Sequence, residues 1–242
     1  MLRLSYDMHI HSCLSPCADD DNTPANIAGM AAVAGLDVVA LTDHNSCANV
    51  PAFVKAADSL GLIAIPGMEL TTCEEVHVLC YFRSVEDALR FSDHVRDVSP
   101  FIANDTRFFG NQLICDEDDN VIGTEERLLH TASNISFDDV YDILKDYGGV
   151  MVPAHVNKTS TSVISNLGFF PPYSKFRSAE VKNPDDVDGL RKAHPYLRRC
   201  HIISSSDAHY LGDISDPVHF IHVEEKTRDG VLDMLDTYIN ED

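Results

Sequence analysis

The chain has 242 residues, of which 44% are hydrophobic and 24% charged, and this composition excludes a disordered protein because it is that of an ordinary globular domain. With 18 Lys and Arg against 39 Asp and Glu, the formal net charge is −21, and so acidic a surface argues against binding to long duplex nucleic acid or anionic membranes. No stretch approaches the roughly 18 consecutive apolar residues of a transmembrane helix.

Short apolar runs alternate with helical patterns, as in successive βα units around a largely parallel sheet. In chain order, the first half predicts strands at 2–10, 37–41, 62–66 and 76–82, and helices at 24–34, 50–60 and 84–98. The second half predicts a helix at 136–147, strands at 150–152, 178–181, 201–204 and 218–223, and a helix at 228–238. Length and pattern together favour one α/β barrel domain spanning residues 1–242.

Two segments depart from this alternation. Within residues 101–135, short apolar runs at 111–115 and 120–122 flank an acidic turn, which predicts a solvent-exposed hairpin inserted between barrel units. Residues 164–173 contain Gly and Pro and predict a loop over the barrel rim. In that loop, Phe169 or Phe170 could contact a substrate base.

The seven cysteines follow no regular framework, which favours reduced thiols. The polar N-terminal residues do not match the pattern of a signal peptide. We therefore expect a cytoplasmic protein.

Metal-binding side chains cluster at the ends of predicted strands. His9 and His11 are two apart on the first strand, so both imidazoles face one side. Similar groups follow later strands or lie within them: Asp43, His44, Glu69, His77, His155, Asp207 and His209. The carboxyl ends of parallel barrel strands share one rim, so these side chains should lie close together. Because imidazoles and carboxylates suit Zn, Mn or Fe, the pattern predicts a metal centre at that rim.

These motifs resemble those of the PHP family, the metal-dependent phosphoesterases named after polymerase and histidinol phosphatase. In this sequence they are Asp7-Met8-His9-Ile10-His11-Ser12, Thr42-Asp43-His44-Asn45, Gly67-Met68-Glu69 followed by His77, Pro153-Ala154-His155, and Ser206-Asp207-Ala208-His209. The resemblance implies a distorted (β/α)7 TIM-like barrel that holds two or three divalent ions at its rim.

The resemblance also implies the ligand set. One ion would be held by His9, His11, Glu69 and Asp207, and a second, bridged by Glu69, by His77 and His155. A third would be held by His44 and His209. Several family members add a His or Asp to the third ion at the position where this chain has Cys17, and a thiolate is a competent ligand of Zn or Fe.

The activity implied is hydrolysis of a phosphomonoester of a small metabolite or nucleotide by a metal-activated hydroxide. The residues assigned to catalysis are Asp43, His155, Asp207 and His209. Among them, Asp43 is expected to orient a ligand imidazole rather than to bind metal. The candidates for binding the phosphate are Lys158, Asn157 and Arg177. No role is assigned to the other histidines, which are His94, His130, His194, His201, His219 and His222.

Three other interpretations stay open. The same fold could serve an exonuclease or phosphodiesterase that acts on nucleotides or short RNA. An amidohydrolase also begins with a His-x-His strand, although no bridging lysine is evident and the Asp207-Ala208-His209 motif fits the PHP family better. A non-catalytic accessory protein is disfavoured by the nearly complete ligand set. The expected partner is a small phosphorylated substrate, and the sequence does not predict an oligomeric state.

Overall fold

The structure is a computed structural model that describes residues 1–239. Its strands are β1 Leu2–Ile10, β2 Val38–Leu41, β3 Ile63–Thr71, β4 His77–Tyr81, β5 Leu113–Cys115, β6 Val121–Thr124, β7 Val150–Pro153, β8 Ser178–Glu180, β9 His201–Ile203 and β10 Phe220–Val223. Its helices are α1 Pro24–Ala34, α2 Val50–Ser59, α3 Val85–Val98, α4 Thr106–Phe109, α5 Phe137–Lys145, α6 Val163–Leu167, α7 Val187–Ala193 and α8 Arg228–Leu235.

Six strands form a curled sheet in the order β10-β1-β2-β3-β4-β7, and β8 pairs with β9. Strands β1, β2 and β3 are parallel, as are β8 and β9. The β8–β9 pair closes the gap between β7 and β1, because Val156 donates to the Glu180 carbonyl at 2.8 Å and His11 to the Ala208 carbonyl at 2.9 Å. The α/β barrel expected from the sequence is confirmed.

Strand β4 differs from the parallel pattern because it runs antiparallel to both β3 and β7. The connection between β3 and β4 is a tight turn around Cys73 and Glu74 rather than a crossover helix. His77 is the first residue of β4 and pairs with Thr71, the last residue of β3. The reversal therefore brings the amino end of β4 to the rim where the parallel strands end.

Apolar residues pack on both faces of the sheet. The outer face packs against the helices, and the interior of the curled sheet is filled by a second cluster that includes α8. On a regular strand, Met8 and Ile10 would face the same side. Met8 instead packs in the interior and Ile10 in the outer layer, because the register between β1 and β2 shifts between Asp7 and Ile10. Such an irregularity changes the direction of the side chains that follow it, and here it does so at the end of β1.

The inserted hairpin is confirmed as β5 and β6, but only β6 is solvent-exposed. Cys115 at the end of β5 is buried, with its Sγ 3.7 Å from that of Cys13. Leu113 donates a backbone hydrogen bond to the Cys13 carbonyl at 2.8 Å. The hairpin thus packs through β5 on the loop that follows β1.

The segment at 164–173 is only partly a loop. Helix α6 covers its first residues, and Phe170 is buried with its ring centroid 5.8 Å from that of Phe176. Phe170 is therefore a packing residue, whereas Phe169 is exposed. The short helices α4, α6 and α7 were not predicted, because each has fewer than eight residues and too little periodicity to be detected. Across residues 1–239, none of the helices combines the length and apolarity needed to span a membrane.

Candidate metal centre

The carboxylate of Glu69 lies at the centre of five imidazoles. Its Oε1 is closest to nitrogens of His77, His155 and His9, at 2.8, 3.1 and 3.3 Å. Its Oε2 is closest to nitrogens of His44 and His11, at 3.2 and 3.3 Å. Glu69 is 1% exposed, so this buried carboxylate is surrounded by nitrogen donors from β1, β4 and the loops after β2 and β7.

Asp207 and His209 complete the cluster from the loop after β9. The Oδ1 atom of Asp207 lies 3.4 Å from Nε2 of His9 and 3.5 Å from Nε2 of His11. The ring of His209 stacks on that of His11 with centroids 4.3 Å apart. Asp207 and His155 have φ values of 58° and 29°. Such values are uncommon for residues other than glycine, and they persist only where the surrounding structure imposes them.

Two carboxylates, one of them acting through a serine, orient the histidines at the end of β1. Nδ1 of His9 donates to Oε2 of Glu180 at 3.0 Å, and the same oxygen accepts the backbone N–H of His155 at 2.9 Å. Nδ1 of His11 donates to Oγ of Ser15 at 3.1 Å, and Ser15 donates to Asp43 at 2.7 Å. In both rings Nε2 is left to face the cluster, which is how metal-binding histidines are typically held.

Burial and charge shift the pKa values of this cluster in opposite directions. Burial by itself raises the pKa of Glu69, but His77, His9 and His44 lower it well below its usual value. Burial lowers the pKa of His9, yet the carboxylates of Glu180 and Glu69 outweigh it and raise that pKa well above 6.5. The cluster is therefore ionised within the protein, with negative charge on Glu69.

Three other ligand candidates are neutral at neutral pH. Burial, with a contribution from His11, lowers the pKa of His44 well below its usual value and that of His209 to about 4. Burial and the charge of Glu69 raise the pKa of Cys17 to about 12, so this thiol keeps its proton unless a cation is bound beside it.

The donors present fit divalent metal ions. Nδ1 of His155 is buried and has no hydrogen-bond partner within residues 1–239. Nδ1 of His44 is also buried, and although it lies 3.2 Å from Oε2 of Glu69 it is not hydrogen-bonded to it. Such unpaired nitrogens are costly unless a ligand satisfies them. Four trios have donor atoms within 4.8 Å of one another: His9, His11 and Glu69; His44, Glu69 and His77; His11, His44 and His209; and Cys17, His44 and His130.

The structure separates the three residues expected to bind phosphate. Lys158 lines the same cavity as the cluster, and its Nζ lies 3.2 Å from Oδ2 of Asp207. Asn157 instead uses its amide to hold a loop, accepting the backbone N–H of Lys182 and donating to Asp186, both at 2.8 Å. Arg177 precedes β8, at the end away from Glu180, and bonds the carbonyl and carboxylate of Asp236.

Sequence reasoning missed three residues at this site. Glu180 is the last residue of the short strand β8, and several of the other candidates lie close to the end of a strand, so its position is a signal that could have found it. Lys182 has its Nζ 3.9 Å from Oδ2 of Asp207. The sequence gives no signal for this contact, because it depends on how the loop after β8 folds. His130 comes from the inserted segment, and its Nε2 lies 3.2 Å from Sγ of Cys17.

Comparisons with known proteins identify the family and the fold. The sequence model of the PHP domain family matches residues 7–152. The lesion-specific endonuclease PfuEndoQ from Pyrococcus furiosus superposes with a TM-score of 0.68 at 19% identity, covering 97% of this chain and 56% of that one. The chain thus spans little more than half of that endonuclease's length.

Two structures match over nearly their full length. A putative metal-dependent phosphoesterase from Bifidobacterium adolescentis has a TM-score of 0.61 at 17% identity, covering 95% of both chains. An amidohydrolase from Chromobacterium violaceum with bound sulfate has a TM-score of 0.61 at 18% identity, covering 93% of both chains. At these identities the likeness concerns the fold. No curated protein matches the chain.

Proposed function

Since the chain belongs to the PHP family of metal-dependent hydrolases, we propose that it hydrolyses a phosphomonoester of a small metabolite or nucleotide. The proposal is carried by one observation. Two lysine ammonium groups, those of Lys158 and Lys182, lie 3.2 and 3.9 Å from Oδ2 of Asp207, beside the histidine cluster. A cationic pair next to a metal centre suits a phosphate dianion.

The ligands would be those of the histidine cluster. His9, His11, Glu69 and Asp207 would hold one ion, and Glu69, His77 and His155 a second, while His44, His209 and Cys17 would hold a third. Zn, Mn and Fe all suit this donor set. Such ions, when bound, supply the Lewis acidity that polarises a phosphoryl group and acidifies water.

The surrounding side chains orient the ligands and the substrate. Glu180 holds the Nδ1 proton of His9, and the Ser15–Asp43 pair holds that of His11, so both Nε2 atoms face the cluster, where a bound ion would displace any proton they carry. Lys158 and Lys182 would bind the phosphate oxygens that do not react. His209 has its Nδ1 2.8 Å from the Asp207 carbonyl, and because burial lowers its pKa to about 4, the ring is neutral at neutral pH, as a metal ligand must be.

The dimensions and charge of the site favour a small substrate. The cavity that contains the cluster has a volume of about 310 Å³, which is in the range of a small-molecule pocket. The protein as a whole is strongly acidic, with a formal net charge of −21, and this opposes the binding of a long polyanion.

A second candidate is cleavage of phosphodiesters in nucleotides or short nucleic acid ends. It is favoured by the fold shared with the lesion-specific endonuclease. The lysine pair would bind a diester phosphate as well, but with less gain because a diester carries a single negative charge.

The test is a screen for hydrolysis by protein loaded with Mn, Zn or Fe. Phosphomonoesters, nucleotides, a bis(aryl) phosphate and short RNA are offered separately, and the metal-stripped protein is the blank. Release of inorganic phosphate from one class of monoester supports the proposal and names the class. Cleavage confined to the diester or RNA would overturn it in favour of the second candidate.

A further inference from the structure

The inserted segment, residues 101–135, brings a histidine to the edge of the metal centre. His130 is exposed, yet its Nε2 lies 3.2 Å from Sγ of Cys17. Its ring meets that of His44 edge-on, with centroids 4.3 Å apart. We propose that His130 is a metal ligand that forms, with Cys17 and His44, a Cys-His-His site for one of the ions.

The donor atoms are close enough to share an ion. Those of Cys17, His44 and His130 all lie within 4.8 Å of one another. Ligands bound to one zinc ion at about 2.0–2.3 Å are separated by distances below this limit. The trio therefore needs only small side-chain movements to bind metal.

Asn45 fixes the backbone on both sides of His130. Its Nδ2 donates to the carbonyls of Leu129 and Thr131, both at 2.8 Å, and its Oδ1 accepts the backbone N–H of Thr71 at 2.8 Å. Asn45 directly follows His44, and its φ of 49° is one that asparagine tolerates better than most residues. One side chain thus links the His130 loop to the His44 corner.

The same insert braces the loop that carries Cys17. Asn111 donates to the carboxylate of Asp20 at 2.7 Å, and Leu113 donates to the Cys13 carbonyl at 2.8 Å. Cys17 lies between these two attachment points. The insert therefore supplies one ligand and holds the segment that supplies another.

The ligand types indicate which ions would occupy the site. A thiolate with two imidazoles suits zinc or iron(II) and is a poor match for magnesium, which prefers oxygen ligands. This inference concerns metal binding alone, so it stands or fails independently of phosphate release from any substrate.

Metal content and affinity test the proposal directly. His130→Ala should lose one zinc equivalent on dialysis, or bind it at least about tenfold more weakly, since loss of a mere supporting partner costs about 10–100-fold. His222→Ala, which removes an exposed histidine of β10, should match the wild type. Wild-type affinity and stoichiometry in His130→Ala would overturn the proposal.

Cobalt(II) gives a readout specific to the thiolate. The wild type should show a sulfur-to-cobalt charge-transfer band that Cys17→Ser abolishes and His130→Ala shifts or weakens. A band that is unchanged in His130→Ala would contradict ligation by His130.

A measurement on the unaltered protein avoids any effect of substitution on folding. Modification of His130 by diethylpyrocarbonate, followed by mass spectrometry, should be rapid in the metal-free protein and strongly slowed by saturating zinc, because a coordinated nitrogen has no free electron pair to react. The exposed His222 serves as the internal control, and its rate should not change. Equal rates at His130 with and without zinc would overturn the proposal.

Discussion

Oε2 of Glu180 accepts a hydrogen bond from Nδ1 of His9 at 3.0 Å, and both side chains are buried. The bond holds the ring with Nε2 toward Glu69 and Asp207. The same oxygen accepts the backbone N–H of His155, so one carboxylate on β8 orients two ligand segments from β1 and β7.

Glu180→Gln should therefore weaken metal binding by about 10–100-fold, the usual cost of losing a carboxylate that supports a ligand histidine. The measurement is a chelator competition for zinc. Glu224→Gln, which changes an exposed glutamate, is the matched control. Equal zinc affinities in Glu180→Gln and the wild type would show that His9 is oriented without this bond.

His155→Ala should reduce phosphate release by more than about 100-fold, because loss of a ligand costs more than loss of its support. The fold should persist, because the side chain of His155 makes one hydrogen bond within residues 1–239. Its Nε2 bonds Glu69 at 3.1 Å, and its Nδ1 has no partner. Circular dichroism and thermal unfolding check the fold, and His222→Ala is the control for activity. Near wild-type turnover would disprove the assigned site.

Lys182→Ala should raise KM for a phosphomonoester by roughly 10- to 100-fold, the range expected when a charge-assisted hydrogen bond is lost. Lys158→Ala should act in the same direction. Lys175→Ala is the matched control, because that lysine pairs with Asp142 at 2.6 Å, away from the cavity. If all three variants gave the same KM, the lysine pair would not be the phosphate site.

The metal-free protein should lose stability in acid partly through His209. Burial, together with His11, lowers the pKa of His209 from 6.5 to about 4, so the proton binds more readily to the unfolded chain. The contribution of the neutral ring to stability is complete above pH 6.5 and is lost as the pH falls toward 4.

His209→Gln removes this titration. Between pH 6.5 and 4, its free energy of unfolding should decline less steeply than that of the wild type. Denaturant unfolding at several pH values measures both slopes, with His222→Gln as the control. Parallel curves for His209→Gln and the wild type would contradict the lowered pKa.

Gly67, at the start of the Gly67-Met68-Glu69 motif, allows β3 to approach β2 closely. A Cβ at this position would lie 2.9 Å from the Leu41 carbonyl oxygen and 2.9 Å from Cγ2 of Thr42. Gly67→Ala should destabilise the protein by about 1–3 kcal/mol through this overpacking. Gly29 in α1 has open space for a methyl group among the described residues, so Gly29→Ala should stabilise by about 0.5–1 kcal/mol. Urea unfolding compares the two, and an equal effect would argue against crowding at Gly67.

The sequence by itself determined the elements and most of the candidate ligands. Apolar runs and helical periodicity are local signals, and parallel strands that end at one rim place the side chains that follow them near one another. For that reason His11, His44, Glu69 and Asp207 can be recognised as ligand candidates from the order of residues alone.

Only the tertiary structure decided how the site is completed. The antiparallel course of β4 brings His77 to the rim, and the register shift in β1 re-aims the side chains at its end. Glu180, Lys182 and His130 reach the cluster through contacts between segments up to 171 residues apart. Such placements depend on how strands close into a barrel and how an insert packs on it, and no local pattern encodes either.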